Sequence, residues 1–149
     1  MRMLLKYYKT RSYLKKFPLE IQLMLKYASV SKIRRYFRHR LFYRYGCDIS
    51  HAAQLDSSVI FPHPLGIIIG SKVVVEDSCV IYQQVTLGST SSSVGMPHVK
   101  KNVTIYAGAK LVGDIVVGEN SIIGANAVVT KSVPKDSVVV GANIIKNRS

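Results

Sequence analysis

His63 stands between two prolines in "VIFPHPLGIIIG" (59–70). A neutral imidazole with a pKa of about 6.5 can take a proton from a hydroxyl as that hydroxyl attacks an electrophile. It does so well when a partner fixes its tautomer. Pro62 and Pro64 each fix their own φ, and Pro64 also restricts His63, so the ring sits on a stiff stretch. A base pre-set in one orientation loses less entropy at the transition state. The competing reading is a histidine on a solvent-facing corner that does no chemistry. The other histidines are weaker candidates. His51 reads as structural, His39 lies in a basic helix, and His98 follows a Ser/Gly-rich stretch. His51, His63 and His98 lack a closely spaced pair, so no metal site is expected. Cys47 and Cys79 are the only cysteines and have no C-x-x-C spacing. That argues against a disulfide framework and a zinc site, and fits a reduced, cytosolic setting.

The elements that must position His63 come from a repeat. After Gly46, apolar residues and one cysteine recur every six positions: Ile49, Leu55, Phe61, Ile67, Val73, Cys79, Val85. The series resumes at Val99, Ile105, Leu111, Val117, Ile123 and Val129. A second inward set follows four residues later, with Ala53, Val59, Leu65, Ser71, Val103, Ala109, Ile115, Ser121, Ala127 and Val133. A period of six suits neither an amphipathic helix nor a simple alternating strand. It predicts short strands joined by tight corners and stacked as a parallel β-helix, about 18 residues per coil. From Val85 to Val99 the step is 14, two more than two repeats, which predicts a loop near 88–98 thrown out between coils.

Residues 1–46 are of another kind. They hold 13 Lys/Arg against one acid, Glu20, whereas residues 47–149 hold 8 against 7. The expected organisation is a basic helical segment over 1–46 and a β-helix domain over 47–149. Pro18 reads as a helix-start proline, Ser31 as an N-cap and Gly46 as a terminator. Tyr and Phe interleave with arginines between Arg34 and Tyr45. The N-terminus lacks the apolar stretch and cleavage site of a signal peptide, and no segment approaches the ~18 apolar residues of a membrane span.

The stretches "DISHAAQL" (48–55), "HPLGIIIG" (63–70), "VTLGST" (85–90), "AGAKLVGDIVVGENSIIGANAVVTKSVP" (107–134) and "VVGA" (139–142) resemble the hexapeptide-repeat acyltransferases, in their serine acetyltransferase-like branch. The resemblance implies an all-β core, a left-handed parallel β-helix, assembled as a homotrimer. It implies acetyl-CoA as co-substrate, with no metal, bound in grooves between subunits. In that family the histidine of the H-x-x-G segment is the general base, and an aspartate fifteen residues earlier orients it. His63 and Asp48 stand at those positions. The pantetheine-contacting positions fall on small residues that let backbone approach: Gly88, Ser89, Ala107 and Ala125. A backbone N–H near Gly88 or Ser89 is a candidate oxyanion donor. Lys131 and Lys146 are candidates for the CoA phosphates.

The acceptor positions depart from serine acetyltransferases. The acidic residue before the base is Pro62 here, and the arginine–histidine pair after the loop is Gly95 and Met96. An amino-acid acceptor needs a carboxylate clamp, usually an arginine. The departures favour acetylation of a sugar or polysaccharide hydroxyl, of the capsule or cell-surface glycan type. Serine O-acetylation, sugar N-acetylation and a non-catalytic binding role are the alternatives. His98 would lie two residues late for the family's second histidine. The basic helices suit packing on the trimer, an anionic membrane surface or an acidic glycan. The expected location is cytoplasmic, with peripheral contact on the inner face of the membrane as an option. No nucleic-acid motif is present, and none is expected as a partner.

Overall fold

The computed structural model describes Met3 and residues 12–89, 95–142 and 144–147. Helices α1 (Tyr13–Lys26) and α2 (Ser31–Tyr45) precede a stack of short strands. The strands form three faces of a parallel β-solenoid, as the six-residue period requires. The first face holds β1 (Asp48–Ile49), β3 (Ile68–Ile69), β6 (Thr86–Gly88), β9 (Lys110–Val112) and β12 (Val128–Val129), in that order. The second holds β2 (Gln54–Leu55), β4 (Val74–Val75), β7 (His98–Val99) and β10 (Val116–Val117). The third holds β5 (Val80–Ile81), β8 (Thr104–Ile105), β11 (Ile122–Ile123) and β13 (Ser137–Val140), with β14 (Ile144–Asn147) antiparallel at its edge. This is the hexapeptide-repeat β-helix expected from the resemblance.

Each coil buries one ladder per face. Ile49, Ile69, Leu87, Leu111 and Val129 stack in register on the first face. All five are at most 1% exposed, so each contributes about 2 kcal/mol of burial. Tight corners put Lys72, Ser78, Gln84, Asn102, Asn120, Asn126 and Asp136 at positive φ. Asn and Asp tolerate that region best among residues with side chains.

Pairing registers revise where the repeat slips. Ile60 bridges Val80, and Asp48 pairs with Ile68, each a step of 20. Thr86 pairs with Lys110, a step of 24, and Lys110 with Val128, a step of 18. The two-residue offset therefore lies not after Val85 but between Ile60 and Ile68, at the Pro62–His63–Pro64 corner. Across 88–98 a further six residues are inserted; 90–94 of that expected loop lie outside the described residues. All thirteen positions of the six-residue series are buried, but from Ile67 to Val85 they occupy the second inward column. Leu65 and Ser71, inward by spacing, are consequently exposed.

The helices close the N-terminal end of the stack. Phe17, fully buried, packs edge-on against Tyr45 at 4.9 Å and Phe61 at 5.2 Å. Pro18 is not the helix start: α1 begins five residues earlier and carries the proline inside. Its buried face offsets the lost hydrogen bond. Ser31 is the first residue of α2 rather than its cap; Val30 caps, without a side-chain bond. Gly46 does terminate α2, at φ 62°, with its N–H bonding the Phe42 carbonyl. Among the described residues no helix is long and apolar enough to cross a membrane.

Candidate active site

The enlarged step between Ile60 and Ile68 makes a corner that projects from the edge joining the third and first faces. His63 sits exposed on it, while Pro64 is buried beneath. The Leu65 N–H bonds the His63 carbonyl at 2.9 Å, closing the turn. The imidazole lies 6.2 Å from the Tyr82 ring, which stacks on Tyr106 at 5.1 Å. The sequence pattern singles out neither tyrosine, because the 24-residue coil hides their alignment.

Ala107 and Ala125 lie along this same edge, in later coils. The Asn126 N–H bonds the Ala107 carbonyl at 2.9 Å, so the two corners stack as their spacing of 18 requires. Ala107 is half-buried and Ala125 exposed. Lys110 braces the edge by donating to the Gln84 and Gly108 carbonyls at 2.8 and 2.9 Å.

Gly88, Ser89 and Lys131 lie on a different edge, between the first and second faces. Gly88 ends β6, and a Cβ there would meet nothing nearer than Thr86 Cγ2 at 4.0 Å. Its outer side is open to an approaching chain. Ser89 and Lys131 are exposed. The Lys146 side chain lies outside the described residues. One chain thus divides the candidates: His63, Ala107 and Ala125 on one edge, Gly88, Ser89 and Lys131 on another.

Asp48 opens β1 beneath the His63 corner. Its Oδ1 accepts from Arg38 Nη2 at 3.4 Å. Among the described residues no hydrogen bond joins Asp48 to His63. Sequence spacing misses Arg38 as the partner, because α2 brings it to Asp48 from outside the repeat. His51 lines a cavity with Arg38, and His39 lies tilted against Tyr43, ring centroids 4.2 Å apart. His98 faces outward on the second face, where Glu76 Oε1 holds its Nε2 at 2.8 Å and Lys100 Nζ at 2.9 Å. Those bonds, that of Lys100 first, hold the Glu76 carboxyl below its usual range.

The two positions that the resemblance assigns to the acceptor are closely packed. A Cβ on Gly95 would lie 2.2 Å from Asp114 Cβ, so an arginine does not fit there without rearrangement. Met96 packs over Gly70, whose Cβ would lie 3.3 Å from the thioether. Cys47 and Cys79 are buried and unpaired. Burial raises both thiols, that of Cys79 to about 11, so neither is a ready nucleophile.

Comparison with known proteins adds to this geometry. The family described as bacterial transferase hexapeptide (six repeats) matches residues 96–131. A serine acetyltransferase of Buchnera aphidicola (subsp. Schizaphis graminum) is 40% identical over 120 residues, covering 77% of this chain and 46% of the relative. One of Synechococcus elongatus is 44% identical over 98 residues, covering 64% and 40%. Among solved structures, Brucella abortus serine acetyltransferase in complex with coenzyme A superposes with a TM-score of 0.80 at 32% identity, over 96% of this chain and 63% of that one. Soybean serine acetyltransferase complexed with serine gives 0.79 at 27% identity, over 91% and 57%. The chain spans less than half the length of these two curated relatives.

Proposed function

We propose that this chain, a hexapeptide-repeat protein of the serine acetyltransferase-like branch, transfers the acetyl group of acetyl-CoA to an acceptor hydroxyl. The observation that carries this reading is the enlarged Ile60–Ile68 corner. It presents an exposed histidine at the foot of the edge that stacks Ala107 on Ala125. His63 removes the hydroxyl proton as the oxygen attacks the thioester carbonyl. Asp48 orients the imidazole through Oδ2, since Oδ1 bonds Arg38. A backbone N–H near Gly88 or Ser89 stabilises the oxyanion. Collapse of the tetrahedral intermediate releases CoA thiolate, which takes the proton back from His63.

The division of candidates between two edges supports a homotrimer, in which His63 of one copy meets Gly88 and Ser89 of the next. Sedimentation equilibrium is expected to give three times the 16.6 kDa chain mass. An active monomer removes the shared site.

The names of the relatives bring L-serine forward as acceptor, ahead of the carbohydrate hydroxyl favoured by the sequence. A carbohydrate hydroxyl is the second reading, and one observation favours it: Asp114 fills the space a clamp at position 95 would need. A thiol-release screen of L-serine against sugars and oligosaccharides tests both, and the buried Cys47 and Cys79 thiols stay out of its signal. Release of CoA that requires an acceptor is the expected result; none with any acceptor ends the acetyl-transfer reading. Ordinary turnover of L-serine supports the first acceptor. A kcat/KM for L-serine about a hundredfold below that of a sugar supports the second.

A further inference from the structure

Helix α2 carries Lys32, Arg34, Arg35, Arg38, Arg40 and Arg44 and no acidic residue. Arg34, Arg35 and Arg38 fall three and four positions apart, on one helical face. Like charges at that spacing repel and cost the helix stability. Arg40 is turned the other way and bonds Glu20. Of Arg34, Arg35 and Arg38, only Arg38 meets a carboxylate among the described residues.

They line a cavity of about 430 Å³ between α2 and the first coil, together with His39, Asp48 and His51. Rings of Phe42 and Tyr43 complete its walls. Three guanidinium groups face one carboxylate, that of Asp48. Arg34 donates to the Ala28 carbonyl at 2.9 Å and Arg38 to Asp48 at 3.4 Å. Arg35 is exposed and has no partner among the described residues. A smaller cavity of about 250 Å³ shares Arg38, Asp48 and His51 and runs on to Gly70 and Ser71. The cationic space is therefore continuous with the outer surface of the first face beside Asp48.

The phosphates of the donor are not what this space fits. β1 and β12 stand at opposite ends of the first face, four strand spacings of about 4.8 Å apart. Ala125 and Lys131 flank β12, whereas the arginines flank β1. Gly88, Ser89 and Ala107 belong to intermediate coils. A ligand group at the arginines lies at the β1 end of the first face, away from Ala125 and Lys131, where the smaller cavity reaches Gly70 and Ser71.

We infer that this cavity binds a phosphate or diphosphate carried by the acceptor, so that the hydroxyl acetylated beside Asp48 belongs to a phosphate-linked sugar. The inference rests on the acetyl-transfer reading and takes its carbohydrate acceptor. Guanidinium forks match phosphate oxygens in bidentate fashion and remain charged at every working pH. The bound dianion relieves the repulsion along α2. Asp48 keeps one oxygen for the imidazole while Arg38 bridges it to the phosphate.

The sugar diphosphate has two sources, a nucleotide or a polyprenol, and both enter the test. CoA release is measured with free N-acetylglucosamine, its uridine-diphosphate form and its polyprenyl-diphosphate form, with L-serine alongside. Inorganic pyrophosphate is titrated calorimetrically into the wild-type trimer and Arg35→Gln, each with and without saturating CoA. One or both diphosphate forms are expected to exceed the free sugar in kcat/KM by about tenfold or more, and Arg35→Gln to lose that gain through KM. Whichever diphosphate form is preferred identifies the source. Pyrophosphate is expected to bind with CoA present, and about tenfold more weakly to Arg35→Gln. Equal turnover of the free sugar overturns the inference, as does unchanged binding in Arg35→Gln. Loss of pyrophosphate binding when CoA is bound assigns the arginines to the donor and also overturns it. Turnover of L-serine alone overturns it while leaving acetyl transfer intact; no release with any acceptor removes both.

Discussion

Replacing His63 with alanine is expected to lower acetyl transfer by about a thousandfold while leaving acetyl-CoA affinity within about twofold of wild type. A hydroxyl stays protonated near neutral pH, so its attack on a thioester needs a base within reach. His63 is exposed on the corner between two prolines, its ring 6.2 Å from that of Tyr82. Truncation therefore removes proton transfer and leaves the stacked Ala107 and Ala125 corners untouched. Asp48→Asn should cost less, since it disturbs orientation and not the base itself. Stopped thiol release and calorimetric CoA titration on the same preparations separate the two effects. Full turnover in His63→Ala would remove the assignment, and loss of CoA binding would move His63 to the donor site.

The largest effect on stability is expected from Arg40→Ala, at about 3 kcal/mol. Glu20 is fully buried where α1 meets α2. Its Oε1 accepts from Arg40 Nη2 at 3.1 Å and Nε at 3.3 Å. Removing the guanidinium leaves a carboxylate in apolar surroundings without the cation that bonds it, and that desolvation is the cost. The guanidinium also lies 5.7 Å over the Tyr36 ring, a smaller loss. The double variant Glu20→Leu/Arg40→Leu is expected to recover most of the stability, because a buried ion pair contributes little over apolar packing. Urea denaturation of the three proteins checks this. A single variant as stable as wild type would mean that water already reaches Glu20.

Much of the architecture is legible in the order of residues. Every member of the six-residue series is buried, since a corner every six positions brings the same residue type back to the axis. Gly46 ends α2 because a left-handed terminal residue suits glycine. The Ala107 and Ala125 corners stack because no residue is inserted between them. The phase of the repeat is less legible. Both inward columns are apolar, so the two-residue slip at Pro62–Pro64 changes one into the other without breaking the pattern, and the count first fails at Val85–Val99. Leu65 and Ser71 read as inward for the same reason.

The linear pattern dictates the stack and its buried ladders, because burial imposes a period that a chain cannot hide. Folding in three dimensions settles which side chains become neighbours outside that period. Arg38 meets Asp48 because α2 folds back over the first coil. Asp114 covers Gly95 because the coil that carries it stacks against the residues leading into β7. His63 falls on the edge that Tyr82 and Tyr106 share because the chain turns there from the third face to the first. Outward side chains take their partners from insertions, helix placement and coil spacing, and none of these is written in the periodicity that fixes the core.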